Sequence, residues 1–401
     1  MKENYKPWEI KVEDFFGLKS LNDQLQFLIN FAVLAPSSHN SQPWKYEVKN
    51  DCVYVSADRS RELKVSDENG RQLFISLGCA IENIIVAGDY YGFVSAVEYL
   101  PDTSNEDLAA KISLRFAPPK DLKSSIKNHL IFSIRKRVTN RNAYENRMPA
   151  EPFLKEIVSL GGRDFRIDFI REEIEKNLVA DIALDAMMTA MTVDEFRCEL
   201  SNYIKSNITE HKIGMPGFGM GFPTLISFVA PHMLRRFNMA KATKKKDEAL
   251  LKKSTPLFAV ISTAHDNKNA WLNAGEAYEK IALLAEREGL ATAVWAAPIQ
   301  IGEFYKNVQK IIKTDFRPQV FFRIGYAKKP TRHSPRLSAI EVNIYKCLEK
   351  NNIESLIPEI PSGKKAIINL KRLKGPKKEP FFFKYIRDRR EYSFFRGIEI
   401  V

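Results

Sequence analysis

The chain has 401 residues, enough for two domains or one composite core, and its 44% hydrophobic and 28% charged content is that of an ordinary globular protein. The formal net charge of +13 raises the question of nucleic acid. The surplus, however, sits in residues 241–246 and 370–378 without a groove-reading helix or stacking-aromatic motif, so solvated loops and no nucleic-acid partner are expected. With no run of about 18 apolar residues, no apolar secretion core at the N-terminus and four scattered cysteines without neighbouring histidines, the expectation is a cytoplasmic chain with no membrane span, disulfide or metal.

Residues 21–34 read as a helix, because Leu21, Leu25, Leu28 and Ala32 recur at helical spacing behind a Ser20/Asp23 N-cap pair. Pro36 pushes Ala35 out of the helical region and ends it. The stretch from Leu34 to Trp44, LAPSSHNSQPW, is then a polar loop between a buried helix and a strand, where scaffolds display binding groups. Residues 45–48 and 53–55 alternate as strands about Asn50-Asp51. Residues 71–91 form a broadly apolar helix, with Gly78, Ala80, Ala87 and Gly88 permitting close packing and Gly92 as its stop. Strands are expected at 93–100 and 112–116, and Pro118-Pro119 marks a boundary.

Beyond it, a helix at 124–134 leads into Arg135-Lys136-Arg137-Val138-Thr139-Asn140-Arg141. A phosphate monoester carries nearly two negative charges and is met by bidentate guanidiniums plus a neutral donor, which Arg137, Thr139 and Arg141 supply. The competing reading is a solvated charge run. After a helix at 172–191 the periodicity fades between about 202 and 254, where residues 214–223 form a Gly/Pro-rich, apolar-tipped segment of the kind used as a lid. A strand at 256–262, a helix at 270–288 capped by Gly289, and strands at 291–296 and 320–326 follow. Arg336, in the loop after the last strand, is a second candidate phosphate ligand. Residues beyond 343 carry Phe381–Phe383 and Phe394-Phe395 in a basic setting.

The loop of Pro36, Ser37, Ser38, Asn40, Gln42, Pro43 and Trp44 resembles the Ala-Pro-Ser-x-x-Asn-x-Gln-Pro-Trp signature of the FMN-dependent nitroreductase superfamily. Arg137-Val138-Thr139-Asn140-Arg141 is similar to that superfamily's Arg-x-Ser/Thr-x-Arg/Lys phosphate motif. Ordinary members carry the arginine motif first; here the order is inverted, which resembles the Acg-like nitroreductases, where two nitroreductase-like halves are fused. Residues 70–80, residues 271–277 and the Pro318-Gln319…Arg323-Ile324-Gly325-Tyr326…Ser334-Pro335-Arg336 stretch add to the likeness, which runs from about residue 20 to about residue 340.

The resemblance implies an α+β fold with a mixed, mainly antiparallel sheet in each half, wrapped by helices, and the halves forming an internal pseudo-dimer. Its expected divisions are 1–120 for the first half, 121–343 for the second with a lid insertion at about 202–254, and 344–401 for a basic, aromatic extension. It implies FMN as cofactor, NADPH or NADH as hydride donor, and a nitroaromatic or quinone acceptor. One complete site is implied: Pro36, Ser37, Ser38 and Asn40 approach the flavin from one half, Arg137, Thr139, Arg141 and Arg336 hold its phosphate, and Pro298 and Gln300 lie near the ring. A second site is expected to be lost, because the helix ending near Met187–Met191 has no Pro-Ser-x-x-Asn after it. No catalytic side chain is assigned. The protein is expected to be a monomer containing the pseudo-dimer, or a weak dimer. Should the lid cover the flavin, the alternative is a non-catalytic FMN-sequestering or storage protein.

Overall fold

The computed structural model describes residues 2–117, 129–344, 366–368 and 398–400. The Pro118-Pro119 boundary, the start of the expected 124–134 helix and the phenylalanine clusters at 381–383 and 394–395 lie outside the described residues.

In the first half, α1 (Leu21–Ala32) begins as expected, with the Ser20 hydroxyl accepting from the Asp23 amide at 3.0 Å. β1 (Trp44–Lys49) and β2 (Cys52–Ala57) close around Asn50 and Asp51 at φ +51° and +56°, the left-handed pair that a two-residue hairpin turn needs. α2 (Arg71–Tyr90) follows, then β3 (Phe93–Tyr99) and β4 (Leu108–Phe116). β4 starts before the predicted residue 112 because Ala110 already pairs with Val55 on one side and Tyr99 on the other.

The second half opens with the short α3 (Ile131–Ile134), α4 (Glu151–Val158) and β5 (Phe165–Ile170). Next come α5 (Glu173–Ala190), α6 (Asp194–Tyr203), the two-residue strands β6 (Ile204–Lys205) and β7 (Met215–Pro216), α7 (Thr224–Arg236) and α8 (Ala240–Lys253). The chain then runs through β8 (Leu257–Thr263), α9 (Lys268–Arg287), β9 (Ala291–Val294), α10 (Ala297–Gln300), α11 (Phe304–Ile312) and β10 (Arg317–Gly325). The stretch at 202–254 is therefore largely helical. Its period was hidden because α7 is apolar on its outward side and carries Pro231.

The two sheets have the orders β1-β2-β4-β3 and β5-β8-β10-β9, antiparallel throughout, with the same connectivity through α2 and α9. A parallel bridge between Thr139 and Thr292 extends the second sheet at the β9 edge. This is an α+β fold of two fused halves. The correspondence corrects one expectation: the counterpart of α1 is α4, which leads into β5, whereas α5 belongs to the insertion between β5 and β8. The α4–β5 connection, residues 159–164, reads Ser-Leu-Gly-Gly-Arg-Asp and has no Pro-Ser-x-x-Asn.

The halves meet where α2 crosses α9. A Cβ placed on Gly78 would sit 2.0 Å from the Leu272 carbonyl oxygen, and one on Gly275 would sit 2.0 Å from that of Ile75. Each glycine is followed four residues later by a buried glutamate, Glu82 or Glu279. α2 is long and apolar enough to cross a membrane by length and composition alone, but 83% of its most apolar stretch is buried within the fold. β8 is buried along its whole length: Leu257, Ala259 and Ile261 join the core shared by both halves, and Phe258 and Val260 join a second core with α5 and α8. Contacts divide the chain into two units, Met1–Val342, which holds both halves, and Asn343–Val401.

Candidate functional site

The loop after α1 is held in an uncommon backbone path. His39, Asn40 and Gln42 have φ of +52°, +54° and +52°, and the Ser37 hydroxyl accepts the Gln42 amide at 2.9 Å. Pro36, Ser37, Ser38 and His39 keep part of their surface, while Asn40 and Gln42 are buried. The Asn40 amide donates to the carbonyls of Gly214 and Pro335, both at 3.0 Å, and its oxygen accepts from Arg336 at 2.5 Å. Gln42 likewise donates to the Lys212 carbonyl at 2.7 Å and accepts from the Leu337 amide at 2.8 Å. Asn40, expected at the cofactor, ties the loop to residues 212–214 and 335–337, with both side-chain polar atoms in use.

Arg137 and Arg336, expected at the phosphate, lie in the interior. Both are buried. Arg137 donates to the Leu34 carbonyl at 3.1 Å and places Nε 3.1 Å from the Glu279 carboxylate. Arg336 donates to the carbonyls of Leu34 at 3.3 Å and Ala35 at 3.1 Å, and its guanidinium lies 4.9 Å from the Trp8 ring centroid. The cause is physical: the carbonyls beyond the end of α1 need donors, and two guanidiniums in a dry interior need a counter-charge. Glu279 supplies it, with burial raising its carboxyl to about 7 against the opposing pull of Arg137. Burial and the neighbouring Arg137 lower Arg336 to about 9. Arg137 Nη1 and Arg336 Nε are left buried without a hydrogen-bond partner.

Thr139 and Arg141 remain open. They run parallel to β9, with the Asn140 amide donating to the Thr292 carbonyl at 3.1 Å. Arg141 is exposed and makes no hydrogen bond or ion pair among the described residues, and desolvation by the surrounding chain lowers its pKa. His39 from the first half feels that charge: burial, with Arg141 adding to it, lowers the imidazole to about 4. Pro298 is buried in α10 and Gln300 half-buried at its end. α10 is tied to the loop through the start of α2, where Arg71 donates to the Ile299 carbonyl at 2.9 Å and Ser38 donates to Gln72 at 3.2 Å. Glu279 and Trp8 were not singled out by sequence. An acidic residue in an otherwise buried helix face was the available signal for the first.

No protein-family model matches the chain. Two Mycobacterium tuberculosis proteins, both provisionally named NAD(P)H nitroreductases, align along most of it. Rv3131 is 24% identical over 308 residues, covering 76% of this chain and 86% of its own length. The Acg protein is 24% identical over 332 residues, covering 80% and 95%. PigM of a Serratia species, named in the same way, is 23% identical over 330 residues, covering 78% and 90%. Over most of its length the chain is similar to these named nitroreductases, the Acg protein among them. Among solved structures, the FMN- and NADPH-dependent nitroreductase NfnB of a Sphingopyxis strain aligns with 53% of this chain and 96% of its own, at 17% identity and a TM-score of 0.35.

A pH dependence follows in this chain from His39 and His333. The latter is stacked on Trp8 at 3.9 Å, and burial and nearby arginines lower it to about 4 as well. The unfolded chain takes up a proton on each near its ordinary pKa of about 6.5, while the folded state refuses it until about 4. Stability is therefore expected to fall as pH drops through that interval. Melting temperatures should decline there more steeply for the wild type than for a His39→Asn/His333→Asn variant; parallel curves would rule the histidines out.

Proposed function

We propose that the chain binds FMN between residues 36–39 and the Thr139–Arg141 segment, and that it passes electrons from NADPH or NADH to a small nitroaromatic or quinone. The observation that carries this reading is the convergence of the two signature segments: Arg137, from the arginine motif, donates to Leu34 at the root of the proline-serine loop. The names of the full-length relatives support the same chemistry.

The residues present fit the cofactor. Arg141 and Thr139 have donor capacity not used within the described residues, and Arg137 Nη1 and Arg336 Nε add buried, unpartnered donors behind them. FMN, when bound, supplies hydride acceptance and release. Arg141 holds the phosphate by charge-assisted hydrogen bonds and Thr139 adds a neutral donor. Arg137 and Arg336 contribute positive field from behind and fix the loop, while Asn40 keeps Pro36–His39 in register. Pro298 and Gln300 present α10 to the ring. Loss of Arg141 as Arg141→Ala is expected to weaken FMN binding by about 1.5–3 kcal/mol, roughly ten- to hundredfold, in a fluorescence-quenching titration. Undiminished affinity would place the phosphate elsewhere.

The storage reading draws on a specific contact. Gly214 and Asn40 exchange backbone and side-chain hydrogen bonds, with the Gly214 amide on the Asn40 carbonyl at 3.2 Å, so the base of the Gly/Pro-rich segment is fastened to the loop. Anaerobic addition of NADPH or NADH to the FMN-loaded protein separates the two. Rapid bleaching of the flavin band supports a reductase, and a band unchanged by either nucleotide supports sequestration.

A further inference from the structure

We propose that α7 is an interfacial helix that docks this protein on an anionic lipid surface. The helix is packed inside out. Its buried side is narrow and built from Ser227, Ala230 and Leu234. Its outward side carries Leu225 at 83% exposure, Val229 at 52%, Ile226 and Phe228 at 48% and Met233 at 42%. These five fall within one arc of the helix. A globular protein ordinarily keeps such residues off its surface unless something covers them.

Charge identifies the cover. From residue 211 to residue 246 there is no Asp or Glu, and seven residues are Lys or Arg. Arg236 stands at one end of α7. Near the other end, Lys246 reaches the Met220 carbonyl at 3.2 Å, just ahead of the turn into the helix, and exposed Lys244 and Lys245 precede it in α8. An apolar stripe flanked by cations and free of carboxylates is the composition of a helix that lies in the plane of an anionic membrane, with its apolar side among the acyl chains. A second copy of the chain is a poorer occupant, because a two-fold contact would bring this basic region against itself. Residues 344–401 are poorer too. They hold 14 Lys and Arg against 7 Asp and Glu, the same sign as the face they would have to cover. The inference does not depend on the flavin reading.

The test is flotation of the full-length protein with vesicles of phosphatidylcholine alone and of phosphatidylcholine mixed with phosphatidylglycerol. The protein is expected to float with the anionic vesicles only and to be released by added salt. Leu225→Glu/Val229→Glu should abolish flotation while leaving the melting temperature unchanged, since both side chains point outward. Neutralising Lys244, Lys245 and Lys246 to Gln should weaken partitioning about a hundredfold, at about fivefold for each surface cation. Absence of wild-type flotation, or flotation that survives Leu225→Glu/Val229→Glu, would overturn the proposal. So would a monomer–dimer equilibrium abolished by that variant without vesicle binding, which would assign the face to a second copy. Cross-links from a Val229→Cys label to residues 371–378, again without vesicle binding, would assign it to the C-terminal residues.

Discussion

Gly78→Ala and Gly275→Ala should each destabilise the protein by about 3 kcal/mol, read as a shift in the urea midpoint. Alanine at either position would favour the isolated helix by about 1 kcal/mol, so the sign of the result reports packing alone. Each new methyl would meet a backbone carbonyl at 2.0 Å, about 1 Å inside the closest approach real Cβ atoms make. A carbonyl in the middle of a helix cannot swing aside, so α2 and α9 would have to separate along their whole crossing and loosen the core both halves share. The two positions form one contact, because Gly275 also lies against Gly78. The double variant should therefore cost less than the sum of the singles. Gly88→Ala is the control. It lies in the same helix as Gly78, but the one tight contact of the methyl would be the Leu114 side chain, which can move, with Ser95 and Phe93 at ordinary contact distance, so a change within about 1 kcal/mol is expected. Equal losses at all three positions would contradict the special role of the crossing.

The same crossing illustrates what the sequence could and could not disclose. Amphipathic period, the Ser20 cap, the Asn50-Asp51 turn and the Gly92 and Gly289 stops are local signals, and the elements they mark lie within a few residues of their predicted bounds. The small residues of α2 announced close packing without naming the partner. α4 was overlooked as the counterpart of α1 because correspondence between halves is a property of sheet order, which only the paired strands display. The basic motif was visible as a cluster of cations. Its division into buried Arg137 and open Thr139 and Arg141 was not, because it depends on Glu279 and on the carbonyls of Leu34 and Ala35, all remote in sequence. Trp8, which covers Arg336, sits in a segment with no motif at all. Spacing identified which side chains gather near the loop; electrostatics decided which of them remain available to a ligand.

That division yields the second large effect. Glu279→Ala is expected to cost about 3–5 kcal/mol, the typical penalty for stranding a buried charge, in unfolding measured above pH 7, where the carboxyl at about 7 is ionised. Glu279 is fully buried, and two guanidiniums, Arg137 and Arg336, are buried around it with their remaining hydrogen bonds mostly to carbonyls. Carbonyl dipoles orient these cations but do not neutralise them. Without Glu279 they would also repel each other, as the lowering of Arg336 by Arg137 already indicates. Glu82, at the equivalent place on α2, is already paired with half-buried Lys280 at 3.1 Å, and as a like charge it raises the Glu279 carboxyl. Glu279→Leu combined with Arg137→Met should recover part of the loss by removing both charges together. A midpoint that moves by less than about 1 kcal/mol in Glu279→Ala would mean that these arginines already share their charge with solvent, and the interior they define would have to be wet.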